Sequence, residues 1–170
     1  MSGVASSGPA APSRPSMRTE ARRWLRGEPL HVPSHAMVVH FPAALLPVSL
    51  VLDVIASVDP GSGLAGGANA VLALGLAGAL VAAGTGLLDW LDMIPGTPRR
   101  SRVTRHLLVQ LTAVGGFAVA LAIDAVAGLP ATPPLAGIVV MAAATAVLLV
   151  GNHLGGLLVY RDGMRVRTGR

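Results

Sequence analysis

Four long runs of apolar residues, each with few polar interruptions, alternate with short segments rich in glycine, proline, aspartate or arginine. The runs cover about 36–57, 68–90, 104–127 and 135–160. Each reaches the ~20 residues that a helix needs to cross ~30 Å of hydrocarbon. No run alternates apolar and polar residues with period two, and Ala, Leu and Gly dominate, so barrel strands are disfavoured and membrane helices are expected. The pattern predicts an all-α, polytopic membrane protein, a four-transmembrane-helix bundle over residues 31–166.

The flanks read differently. Residues 1–30 form a basic tail, and its first 16 residues, mostly Ser, Ala, Gly and Pro, lack the apolar surface to order themselves. Over residues 17–26, Met17, Ala21, Trp24 and Leu25 recur at helical spacing among Arg18, Arg22, Arg23 and Arg26. That suits a short helix on an anionic membrane surface, unless the arginines only fix orientation. Arg22-Arg23 is no export signal, because Glu28 and Pro29 follow where an unbroken apolar stretch is needed. Residues 167–170 are a second basic tail.

Composition sharpens the membrane reading. Hydrophobic residues make up 52% of the chain and charged ones 12%, with a mean hydropathy of +0.65; about a quarter of a soluble domain is charged. All 13 basic residues are arginines. Five precede the first run, Arg99, Arg100, Arg102 and Arg105 lie between the second and third, and Arg161, Arg165, Arg167 and Arg170 follow the fourth. The other two loops have none, so the positive-inside rule puts both termini and the central loop in the cytoplasm. The expected location is a bacterial cytoplasmic (inner) membrane, crossed several times. The net charge of +5 thus reports topology and not nucleic acid. Without cysteine the chain has no disulfide, no thiolate metal site and no covalently attached c-type haem.

Candidate chemistry comes from ionisable groups at membrane depth, where they are costly. His40, His106 and His153 lie at the same end of three different runs, and Asp89 ends the second. In a bundle these four groups would project into a shared interior. Two imidazoles suit the axial positions of a b-type haem, three with a carboxylate suit a transition metal ion, and histidine also relays protons. In the structural alternative they hydrogen-bond helices together. Asp53 and Asp124, near the opposite ends of their runs, read as interfacial carboxylates in preference to the alternative, a role in proton transfer. Small residues at four-residue spacing, Gly151 with Gly155 and Gly78, Ala82 with Gly86, let helices approach closely.

The elements His35-Ala-Met-Val-Val-His40-Phe41-Pro42, Gly86-Leu-Leu-Asp89-Trp90-Leu, His106 and Asn152-His153-Leu-Gly155-Gly156-Leu-Leu-Val-Tyr160 with Gly163 resemble a bacterial membrane family catalogued as domain of unknown function 2231. The resemblance covers roughly residues 31–166 and implies a four-helix membrane module without an established activity. His40, Asp89 and His106 match its motif positions. Ala36 stands where the family pattern has proline, which counts against a role for His35. Some relatives carry cytochrome-like or Rieske-type neighbours, which implies a redox role. The expectation is therefore a b-type haem or a metal ion held by His40, His106, His153 and Asp89, with electrons passed to or from a redox partner protein. Alternatives are a structural or assembly subunit and a small proton or solute transporter. The sequence carries no nucleophile–base arrangement or phosphate loop of an enzyme. The bilayer is the expected partner, and small-residue faces would suit a homodimer.

Overall fold

The computed structural model describes residues 17–25, 27 and 34–164, and within that range it is helical. Helix α1 (Met17–Leu25) precedes α2 (Ser34–Val38), α3 (His40–Val58), α4 (Leu64–Leu91), α5 (Pro98–Val126) and α6 (Leu135–Tyr160). Helices α2 and α3 form one span, so four helical segments are long and apolar enough to cross a membrane: Ser34–Val58, Leu64–Leu91, Pro98–Val126 and Leu135–Tyr160. At 28 residues α4 is ~42 Å long, more than the ~30 Å of hydrocarbon, so its ends reach the polar interface. The unordered tails expected over the first 16 residues and over 167–170 lie outside the described residues.

Local chemistry sets the boundaries, and two differ from expectation. The third span begins at Pro98, several residues early, because Thr97 caps it: its hydroxyl accepts from the Arg100 amide, and Pro98 occupies the first turn, where a missing N–H costs nothing. Arg99, Arg100, Arg102 and Arg105 therefore ride on helix. The first span starts at Ser34, which makes Pro42 an interior residue. Pro42 offers no N–H to the Val38 carbonyl, and the helix breaks at Val39. The amphipathic segment does form α1, with Met17, Trp24 and Leu25 exposed. It is tied to the bundle where the Ser34 hydroxyl donates to the Leu25 carbonyl (2.6 Å).

The spans pack as two antiparallel hairpins. Helix α3 packs chiefly on α4 and α5 chiefly on α6; smaller α4–α5 and α3–α6 interfaces close the ring. Leu46, Leu72, Phe117, Met141 and Leu148, with Ala113, Ala120 and Ala144, form the core. Leu74, Leu80, Val119, Val139 and Leu149 are among the many apolar side chains left exposed, as a lipid-facing surface requires.

The hairpins are copies of one another. Pro42, Leu46, Ser49 and Asp53 of α3 are buried, and so are Ala113, Phe117, Ala120 and Asp124 of α5, each 71 positions further on (42 to 113). Ala68, Leu72, Gly75, Ala79 and Ala82 of α4 correspond to Gly137, Met141, Ala144, Leu148 and Gly151 of α6, each 69 positions further on (68 to 137). Both hairpins start at the same end of the bundle, so the repeat is parallel, with its pseudo-twofold axis along the helices.

Candidate functional site

His35 sits in the short α2, where the break at Val39 lets it lean onto α4. Its Nδ1 lies 2.9 Å from the Ala82 carbonyl oxygen, which also accepts the Thr85 hydroxyl (2.9 Å). The ring covers Gly86, where a Cβ would lie 3.0 Å from ring atoms Cε1 and Nδ1. His106 of α5 makes the same arrangement with α6. Its Nδ1 is 2.9 Å from the Gly151 carbonyl oxygen, and its ring covers Gly155, where a Cβ would lie 3.0 Å from Cε1.

The shift of 71 that relates the buried faces of α3 and α5 also carries His35 to His106. The shift of 69 carries Ala82 and Gly86 to Gly151 and Gly155. The two imidazoles are therefore symmetry equivalents, each anchored one turn before a glycine on the partner helix. A carbonyl oxygen only accepts, so Nδ1 carries the proton in both rings, and in the neutral form Nε2 keeps its lone pair. One turn further along α5, Gln110 Nε2 donates to Asn152 Oδ1 (2.9 Å), and Gln110 Oε1 is buried without a hydrogen-bond partner among the described residues.

The structure does not assemble the set expected from sequence. His40 and His153 are exposed, and His106 and Asp89 are half-buried. The reason is angular. His40 lies two positions before the buried Pro42 and His153 two after the buried Gly151, each about 200° round its helix from the buried face. Among the described residues no group of three or more His, Cys, Asp or Glu side chains could hold a metal ion, and His40, His106 and His153 form no such group. Asp89 instead lines a cleft at the end of the bundle with Asp92, Thr97, Arg99 and Met164. Of the expected set, only His106 belongs to the imidazole pair. His35, set aside for its missing proline, is the other member; the signal that would have found it is the repeat, His35 to Asp53 matching His106 to Asp124 in spacing.

The same end is braced by polar contacts. The Trp90 indole N–H donates to Thr104 Oγ1 (2.9 Å), and the Arg100 guanidinium lies 4.1 Å above the Trp90 ring. Arg102 Nε donates to Asp162 Oδ2 (2.7 Å). These contacts join α4 to α5, and α5 to the turn after α6, around the imidazoles.

At the opposite end Asp53 and Asp124 point into the bundle. Each is 2% exposed inside the bundle. Asp53 follows Leu46 and Ser49, and Asp124 follows Phe117 and Ala120, by seven and four positions, which is the spacing of one helix face.

A family model described as "Predicted membrane protein (DUF2231)" matches residues 31–168. The chain belongs to that family. The DUF2231 match takes in both hairpins, and with them His35, His106, Asp53 and Asp124; α1 lies outside it. No curated protein matches the chain, and no solved structure does either. For DUF2231 the description establishes a membrane protein and leaves its chemistry to the geometry.

Proposed function

We propose that this protein is a small electron-transfer module of the membrane that binds a b-type haem through His35 and His106. The observation that carries the reading is the pair of equivalent imidazoles, each with Nδ1–H tied to a backbone carbonyl. A histidine that ligates a metal characteristically donates its other ring N–H to a carbonyl or carboxylate, which fixes the tautomer and leaves Nε2 as the ligand atom. The number of donors favours haem over a bare ion. A metal held by protein alone takes three or four side chains, whereas a porphyrin supplies four nitrogens and needs only two axial imidazoles. The glycines support the same reading, because they let each ring lie against a helix backbone and keep its direction. With no cysteine in the chain, attachment is non-covalent.

Bound there, the haem would supply one-electron chemistry, with no open coordination position for substrate. The chain's own part is to hold two neutral imidazoles in fixed orientation and to surround the site with apolar helices. The arginine distribution supports a position of the pair near the cytoplasmic face of a bacterial inner membrane, where a redox partner protein would exchange electrons with it. His40 and His153 have no role in this reading.

The test is an absorption spectrum of the detergent-purified protein, oxidised and then dithionite-reduced. The expected result is a Soret band with sharp reduced bands, lost in His35→Ala and in His106→Ala and retained in His40→Ala and His153→Ala. A colourless protein from haem-replete cells, with His35→Ala and His106→Ala lowering only thermal stability, would overturn it and make the imidazoles hydrogen-bonded ties between helices.

A further inference from the structure

At the end of the bundle away from the imidazoles, Asp53 and Asp124 occupy equivalent places in the two hairpins. Both are 2% exposed, buried on the inner faces of α3 and α5. Neither oxygen of Asp124, nor Oδ1 of Asp53, has a hydrogen-bond partner among the described residues. On the facing helix α6, a Cβ at Gly137 would come within 2.9 Å of Asp124 Oδ1, so a bare backbone is what leaves room for that oxygen.

Among the described residues of α3 to α6 no cation lies at this end to neutralise the pair. On α4 the one ionisable residue is Asp89, and on α6 they are His153 and Tyr160; all three sit at the far end. On α3 and α5 the remaining ones, His40, Arg99, Arg100, Arg102, Arg105 and His106, are at the far end too. Asp59, just past α3, is exposed and carries the wrong sign. The imidazoles are ~27 Å away along the helices. A metal cation would need several further oxygen ligands. Ser49, the buried hydroxyl one turn from Asp53, already donates to the Leu46 carbonyl (2.7 Å), and Asn69 at this end of α4 donates its Nδ2 to the Ala65 carbonyl (3.2 Å), which leaves its Oδ1 as one neutral oxygen without a partner among the described residues. A proton needs no ligand beyond the carboxylates themselves, and two carboxylates sharing a buried site retain one between them.

We propose that Asp53 and Asp124 together hold one exchangeable proton, forming a proton-loading site at the membrane face opposite the imidazoles. A hydronium ion at that face gives up a proton, an O–H bond forms on one carboxylate and water departs. The pair's charge then falls from two negative to one. The path is short. Asp124 lies ~3 Å from the end of α5 and Asp53 ~8 Å from the end of α3. The inference is independent of what the imidazoles bind.

Infrared spectroscopy of the full-length protein in lipid nanodiscs tests it, using the carbonyl stretch of a protonated carboxyl group, which moves in heavy water. The expected result at neutral pH is an intensity of one such group per chain, shifted by carbon-13 labelling of aspartate and lost in Asp53→Asn/Asp124→Asn. On acidification the part of the band that the double asparagine variant lacks should approach two groups, and the neutral-pH band should persist in His35→Ala/His106→Ala. Wild-type protein with no protonated-carboxyl band at neutral pH would overturn the proposal, with no variant needed. So would a band unchanged in the double asparagine variant, or one abolished by sodium chloride with sodium bound in equal amount.

Discussion

A few backbone atoms and the glycines beside them determine what the paired histidines present. Ala82 and Gly151 supply the carbonyls, while Gly86 and Gly155 supply the surface on which the rings lie. Adding a methyl group at Gly155 forces the His106 ring, gripped at Nδ1, to shift; overpacking of this kind costs about 1–3 kcal/mol. Gly155→Ala should therefore lower the thermal midpoint in detergent and weaken the absorption spectrum together. Gly151→Ala is the control. Its Cβ would meet Gln110 Cδ at 2.7 Å, but Gln110 is a flexible side chain that can swing aside, so the expected loss is smaller. Equal losses in the two variants would count against a gripped ring. His35 was legible in the sequence as a residue and not as a site, because one motif position spoke against it and its partner lies on another span.

Among the elements, the broken first span has the most consequence. Pro42 offers no N–H to the Val38 carbonyl, so the span Ser34–Val58 is interrupted at Val39, whose dihedrals stay helical (φ −61°, ψ −25°) while the Val39 and Ala43 amides still donate to the His35 and Val39 carbonyls. In Pro42→Ala the new amide can reach the Val38 carbonyl, so it should exchange slowly with solvent deuterium and the break at Val39 should close. Rapid exchange at position 42 would mean that packing of His35 on α4, and not proline, causes the break. The apolar periodicity located all four spans, since length and hydropathy are properties of local sequence. It missed the start at Pro98 because a membrane helix capped by Thr97 can extend into water, where charged residues hide it from any hydropathy argument.

For the whole molecule, the repeat predicts how the bundle comes apart. The interface within each hairpin is larger than the interfaces between them. Two chains divided in the 92–97 connection, each carrying one hairpin, should therefore reassociate when produced together and co-purify. Recovery of either half alone, with the other degraded, would show that the connection itself is needed. Apolar run length, arginine placement and the lack of cysteine determined by themselves that this is a four-helix membrane protein and which end is basic, because water, lipid and the translocation machinery act on segments independently. Which side chains meet was decided only by the tertiary structure. A residue's position round its helix acquires meaning when a neighbour covers that face, and the pseudo-twofold packing turned His40 and His153 outward while setting His35 and His106, and likewise Asp53 and Asp124, at equivalent inward places of the two hairpins.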